Sequence, residues 1–591
     1  MATSARQKIS IFDLARQLPS MIGDLPGMAT SATGLLTGPD TKNSVGLVFQ
    51  KAAHRHPKRP FLRFEGEAVS YGDANKLVNR YAAVLTEKGV KRGDVVGILM
   101  KNRPETMFVV LAAVKLGATA GLLNHNQRGK VLDHSLGLLD SRVLVTGAEC
   151  QEALDSLDGE PQAEVVLDSK DLHKAAGSAD DADPQVCEQI VGKEKAFLIF
   201  TSGTTGLPKA SVMSHLRWVK GMYGLGGLGV RLHGDDTMYC CLPLYHNNAL
   251  TVALSATLNA GATLGLGRSF SASKFWEDAD RNKATAAVYI GEVCRYLLNQ
   301  PKKPDDAKHG IRLVVGNGLR PEIWDEFKQR FGIERIVEFY GASEGNIAFV
   351  NALNVDRTAG MCPLPYSVVE YDDDSGEPKR NDKGKLTRVG KGESGLLLAK
   401  VTDRAPFDGY TDPEATESKL VRDGFKSGDV WFNTGDLVRN QGWMHIAFVD
   451  RLGDTFRWKG ENVATTEVEG VVGADPAVEE AVVFGVDVPG ADGKAGMAAI
   501  KLREGKSFDG KALAQRLYDQ LPSYAVPLFI RVVDELEQTS TFKSRKVELR
   551  KQGFDADAEG QLYVLKGRGE GYLEAYDGYV DEVSAGKVPK G

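Results

Sequence analysis

A chain of 591 residues is too long for one hydrophobic core and predicts several subdomains. Its 42% apolar and 26% charged content excludes wholesale disorder. With 73 basic against 79 acidic residues, it lacks the electrostatic footprint of a nucleic-acid partner, and none is expected.

The start, Met1 to Lys8, is basic, but the apolar stretch behind it is cut by Asp13 and Arg16, so no cleaved leader is expected. From Ile9 to Leu36 the apolar residues are interrupted by Pro19, Gly23, Pro26 and Gly27, a pattern suited at most to a membrane surface. Residues 1–45 are read as an N-terminal extension. Between Ser70 and Thr146 helical patterns alternate with β-rich runs, as in βα units.

That alternation returns after Lys193. Three apolar runs, 197–200, 311–315 and 336–339, each end in a glycine-containing turn. Ligands gather at the carboxyl ends of parallel strands, so the three loops are expected around one ligand. Pro321 is placed at the start of a crossover helix carrying Trp324, Phe327 and Phe331 at helical spacing.

The first of these loops reads Thr201, Ser202, Gly203, Thr204, Thr205, Gly206, Leu207, Pro208, Lys209. Its glycines let N–H groups turn inward, its hydroxyls donate, and Lys209 supplies a point charge, the equipment of a triphosphate cradle. Pro208 and Ala210 flank the lysine where a P-loop needs Gly and Ser or Thr, which argues against a P-loop kinase or ATPase.

Residues 237–267 contain no Asp, Glu, Lys or Arg, yet Pro243, His246, Asn247 and Asn248 fit a buried segment beneath a cleft better than a membrane span. The run Gly224 to Gly229 fits Gly-x-Gly-x-x-Gly, but it follows a helical pattern and has no acidic residue about 20 positions on, so a dinucleotide site is rejected. Residues 371–430 read as a small β-rich subdomain. After Arg451 comes a compact α+β unit with a helix near Leu513 to Leu521, and Gly567 to Gly591 reads as a partly ordered tail. Six scattered cysteines without a Cys-x-x-Cys pair indicate neither zinc nor disulfides and point to a reducing cytoplasm.

The 201–211 loop, Tyr340-Gly341-Ala-Ser343-Glu344, Asn433-Thr-Gly-Asp436, Asp450-Arg451, Gly460-Glu461-Asn462-Val463 and Lys543 occur in an order that resembles the adenylate-forming superfamily. Segments 270–276, 289–301 and 453–463 resemble its fatty acid transport protein branch, the very-long-chain acyl-CoA synthetases. The resemblance implies a large α/β domain with a β-rich subdomain (46–450), a hinge (451–454) of Leu452, Gly453 and Asp454, a small mobile α+β domain (455–566) and the tail (567–591).

It implies a fatty acid–CoA ligase that uses ATP and CoA as substrates and Mg2+ as cofactor, in the cytoplasm or at the inner face of the cell membrane. Thr201 to Lys209 would hold the β- and γ-phosphates, Glu344 the metal with Ser343 beside it, and Tyr340 the adenine. Gly316, Asn317 and Gly318 would let backbone approach the purine, with Asp436 and Arg451 on the ribose. Lys543, with Lys546 as the alternative, would neutralise charge on the reacting groups. His246, Tyr289 and Gly291 would border the acyl pocket, and Gly460 to Asn462 the CoA side. A carrier-loading acyl-AMP ligase and an uptake protein remain alternatives, and acyl chain length and oligomeric state stay open.

Overall fold

Ser70 starts the first long helix: its hydroxyl accepts the Asp73 N–H at 3.1 Å, and Tyr71–Glu87 then buries Tyr71, Ala74, Val78, Tyr81 and Ala82 at helical spacing. The strand Val95–Leu99 follows, so the alternation read in this region is realised as a βα unit. The computed structural model describes residues 8–201, 207–342, 344–372, 376–458, 461–489, 493–536, 546–555 and 557–584.

Two sheets form the large body. A six-stranded sheet runs Ala163–Asp168, Ser141–Thr146, Val95–Leu99, Thr119–Leu122, Lys195–Thr201, Lys209–Ser214, parallel except for its last pair. A fourteen-stranded sheet has a parallel half, in which Ala286–Ile290, Leu313–Asn317 and Arg335–Tyr340 are neighbours, and an antiparallel half built on Ser394–Lys400, Val430–Gly442 and His445–Arg451. Helices between the sheets share one apolar core, which explains the near-continuous hydrophobic runs of the parallel strands.

The loops after 197–200, 311–315 and 336–339 arise from two sheets, since only the latter two runs are neighbours. Three expectations need correction. The β-rich subdomain is not bounded by 371 and 430, because Ser394–Lys400 pairs with Tyr366–Val369 on one side and Val430–Gly442 on the other, an antiparallel part of the large sheet with apolar clusters of its own. Pro321 begins a turn, with Ile323 N–H on the Arg320 carbonyl at 3.2 Å, and the helix itself is Trp324–Arg330. The segment expected as a tail contributes strand Gly571–Glu574, paired to Gln561–Gly567, and the buried Tyr579, whose hydroxyl donates to the Leu565 carbonyl at 2.8 Å.

The C-terminal unit has its own five-stranded sheet and its own core, covered by helices Thr465–Gly473 and Gly510–Gln520. The glycine-rich run rejected as a dinucleotide site lies in a π-helical segment, Met222–Val230. A Cβ on Gly227 would stand 2.0 Å from the Ser31 hydroxyl oxygen, so glycine there admits the helix Leu25–Gly34. The charge-free interval is buried as foreseen: strands Thr237–Cys240 and Thr263–Leu266 flank a second π-helical segment, Asn248–Leu254. All six cysteines are buried and unbridged.

Candidate active site

The phosphate-type loop closes a hairpin. Strands Lys195–Thr201 and Lys209–Ser214 are antiparallel, and Thr201 pairs with Lys209 across the open end. Ser202 to Gly206 lie outside the described residues. The Lys209 ammonium stands 5.7 Å from the Tyr410 ring centre, and the Tyr410 hydroxyl donates to Glu344 Oε1 at 2.9 Å. Backbone bonds from Val212 N–H to the Gly409 carbonyl (3.0 Å) and from Thr411 N–H to the Ala210 carbonyl (3.1 Å) sew this segment to the hairpin. Tyr410 thus joins two predicted groups, although no motif singled it out.

A second cluster lies where the two halves of the large sheet meet. Tyr340, at the end of Arg335–Tyr340, donates its hydroxyl to Asp436 Oδ2 at 2.6 Å, and Arg451 Nε lies 3.7 Å from Asp436 Oδ1. Asp436 and Arg451 are direct cross-strand partners, which explains how two residues fifteen apart come together. Phe448 lies nearly parallel to the Tyr340 ring at 6.5 Å. Burial, with Asp436 next to it, pushes the Tyr340 hydroxyl well above its ordinary pKa, so it stays a neutral donor. Gly341 follows in the loop and Ser343 lies outside the described residues.

The Gly316-Asn317-Gly318 turn ends the neighbouring strand. A Cβ on Gly316 would stand 2.2 Å from the Tyr289 carbonyl oxygen, one on Gly291 would stand 1.8 Å from the Gly318 carbonyl oxygen, and Gly318 has φ +85°. These glycines are demanded by close backbone approach. Gly291, foreseen in the acyl pocket, therefore packs against the Gly316–Gly318 turn. Beneath the turn lies buried Glu338, which the sequence reading did not single out. It accepts the Gly318 N–H at 2.5 Å and the Tyr289 hydroxyl, and burial pushes its pKa up to about 8.

The turn is also tied to the segment carrying His246, because Asn248 Nδ2 donates to Asn317 Oδ1 at 2.9 Å. The His246 ring packs on Tyr245 at 4.5 Å, and Tyr245 meets His125 at 5.2 Å. Burial depresses His125 to about 4, so this second imidazole is neutral at pH 7.

In the hinge, Leu452 N–H bonds the Gly435 carbonyl at 2.9 Å, Asp454 pairs with Arg550 at 2.8 Å, and a Cβ on Gly453 would meet nothing within 4 Å. Glu461 and Asn462 belong to strand Glu461–Val463, paired with Phe456–Trp458, while Gly460 and Lys543 lie outside the described residues. Lys546 is engaged: its ammonium lies 2.9 Å from Glu469 Oε1 and donates to Thr465 Oγ1 at 2.8 Å. Arg320 of the large body reaches Glu469 Oε2 at 3.3 Å, and Arg295 donates to the Glu479 carbonyl at 2.5 Å.

Lys209 at the hairpin, the Glu344 carboxylate linked to it through Tyr410, and a separate Tyr–Asp–Arg cluster fit a nucleotide-activating enzyme. The family model for AMP-binding enzymes matches residues 49–393, and that for the AMP-binding enzyme C-terminal domain matches residues 467–543. The chain belongs to the AMP-binding enzyme family, the adenylate-forming superfamily.

It is 55% identical over 595 residues, 99% of both chains, to the medium/long-chain-fatty-acid–CoA ligase FadD6 of Mycobacterium tuberculosis. It is 39% identical over 560 residues to long-chain fatty acid transport protein 6 of Mus musculus, covering 91% of this chain and 90% of that one. ATP-bound MatB from Rhodopseudomonas palustris superimposes with a TM-score of 0.73 over 86% of this chain and 98% of that chain, at 23% identity, a likeness of fold.

Proposed function

We propose that this chain is an ATP-dependent fatty acid–CoA ligase acting on medium to long acyl chains. The observation that carries the reading is the 55% identity, end to end, with a ligase of that name, on a chain that keeps Lys209, Glu344, Tyr340, Asp436 and Arg451 in two clusters.

In the first half-reaction a carboxylate oxygen attacks the α-phosphorus, the bond to pyrophosphate breaks, and an acyl-AMP forms. Lys209 and the hairpin loop hold the β- and γ-phosphates. Tyr340 and Gly316 to Gly318 sandwich the adenine, and Asp436 with Arg451 takes the ribose hydroxyls. The carboxylate of Glu344 suits Mg2+, which keeps most of its water and phosphate ligands and needs only one or two carboxylates from the protein. When bound, the ion neutralises phosphate charge.

Lys543 stabilises the charge that develops between carboxylate and phosphate. Engagement of Lys546 by Glu469 and Thr465 supports this choice over Lys546. In the second half-reaction the CoA sulfur attacks the acyl carbon and AMP leaves, with His246 and Tyr289 bordering the acyl chain and Gly460 to Asn462 the pantetheine. Rotation about Gly453 exchanges the two arrangements.

Among the described residues no helix is long and apolar enough to cross a membrane. Peripheral attachment at the inner face of the cell membrane fits such a chain. Product mass spectrometry with Mg-ATP, a ladder of saturated fatty acids, and CoA present or absent tests the reading. Acyl-CoA formed only with CoA is expected. Acyl-AMP that persists despite CoA would make the chain a carrier-loading ligase, and no turnover of any acid would leave the uptake reading.

A further inference from the structure

One side chain, Tyr410, links the Lys209 ammonium to the Glu344 carboxylate. Its ring centre lies 5.7 Å from the ammonium and its hydroxyl 2.9 Å from Glu344 Oε1. An ionised carboxylate only accepts hydrogen bonds, so the phenol donates, and Glu344 gives it one of two oxygens.

The segment that carries Tyr410 is fastened on two sides. Toward the hairpin, Tyr410 forms a β-bridge with Ser211, and Asp408 Oδ2 accepts the Ser214 N–H at 3.0 Å and the Ser214 hydroxyl at 2.7 Å, with Arg217 3.6 Å away. Toward the loop of Glu344, the buried Asn346 donates from Nδ2 to the Lys400 and Ala405 carbonyls, each at 2.9 Å. Immediately before the tyrosine, Gly409 has φ +71°, and a Cβ there would stand 2.5 Å from Thr416 Cγ2. The Tyr410 N–H itself donates to Thr416 Oγ1 at 3.0 Å.

These bonds hold the backbone of Tyr410 without its hydroxyl, so packing alone does not account for the contact with Glu344. A hydrogen bond to one carboxylate oxygen fixes the rotation of the group and keeps the second oxygen for a cation, as outer partners of metal ligands do. The electron-rich ring face attracts the ammonium. An ammonium on the ring and a carboxylate at the hydroxyl then stand at a separation set by one rigid phenol.

We propose that Tyr410 is a positioning residue for metal-bound ATP: its hydroxyl orients Glu344 toward the cation while its ring holds Lys209 toward the phosphates. The proposal rests on the reading of Glu344 as the metal carboxylate and of Lys209 as the phosphate lysine. It adds that the two charges are spaced by the phenol, so that loss of the hydroxyl is felt by Mg2+-ATP and not by ATP alone.

The test is calorimetric binding of ATP to the full chain without fatty acid, in excess Mg2+ and in EDTA, for wild type, Tyr410→Phe, Glu344→Gln and the double variant. Tyr410→Phe weakens binding about tenfold or more in Mg2+ and leaves it unchanged in EDTA. Added to Glu344→Gln it costs nothing further, because the hydroxyl acts through that carboxylate. Wild-type affinity of Tyr410→Phe in Mg2+, an equal loss in Mg2+ and EDTA, or additive losses in the double variant would overturn the proposal. Tyr410→Leu also removes the ring face and weakens ATP about threefold in EDTA; an unchanged value there would overturn the part given to the ring. If Glu344→Gln binds Mg2+-ATP as the wild type does, the metal assignment falls and the proposal with it. Acyl-CoA formation is measured beside binding: a wild type that follows this binding pattern but converts no acid would overturn the ligase reading while sparing Tyr410.

Discussion

Replacing Glu338 by glutamine removes one titration and leaves the outline of the side chain nearly unchanged. Glu338 lies under the Gly316–Gly318 turn with one oxygen on the Gly318 N–H and the other on the Tyr289 hydroxyl, and burial pushes its pKa up to about 8. An unfolded chain releases that proton near 4.3. Because the folded value is the higher one, the contribution to stability is complete below the unfolded value and is lost as pH rises through the folded one.

Across pH 5.5 to 7.5 the folded state holds one proton that the unfolded state has released, worth about 1.4 kcal/mol per pH unit and about 3 kcal/mol over the interval. Melting of wild type and Glu338→Gln at several pH values in that range isolates this term, since every other group titrates in both. The wild type should lose several degrees more than the variant on going from pH 5.5 to 7.5. Parallel melting curves would refute the assignment of a neutral carboxyl beneath the turn.

Gly291→Ala places a methyl 1.8 Å from the Gly318 carbonyl oxygen, so the purine turn must shift. The KM for ATP should rise about tenfold with the chain-length profile intact, a stability loss of about 1–3 kcal/mol accompanying it. Asp436→Ala removes the acceptor of the Tyr340 hydroxyl and the partner of Arg451. Steady-state kinetics should show a KM for ATP raised about 10- to 100-fold, matching loss of hydrogen bonds to a charged group. Lys543→Ala should slow acyl-AMP formation about a hundredfold or more while Lys546→Ala leaves most of it, and the reverse order in single-turnover assays would exchange their roles. Glu469→Gln unfastens Lys546 and Arg320 together, so the ratio of thioester formation to pyrophosphate exchange should change severalfold.

The βα alternation and the loop sequences were readable because each depends on local patterns: apolar periodicity, turn glycines, a lysine after a hydroxyl-rich run. Pairings between distant strands were not. Nothing in residues 371–430 announces that Ser394–Lys400 continues the same sheet as Leu313–Asn317, since pairing is settled by packing of whole faces. Tyr410, Glu338 and His125 escaped for the same reason. Each takes its role from a partner far away in sequence, Glu344 for the first, Tyr289 for the second and Tyr245 for the third. The short strand Gly571–Glu574 and its partner were hidden among glycines and charges because their buried positions are too few to show a period.

Strand Val430–Gly442 carries Asp436 near its middle and, five residues on, Gln441, whose carbonyl receives the Ile9 amide. At about 3.4 Å per residue some 17 Å of one strand separates the Asp436 carboxylate from the point where the N-terminal segment is fastened. Anything that pulls on that segment would therefore pull, along a single paired strand, on the carboxylate that holds Tyr340.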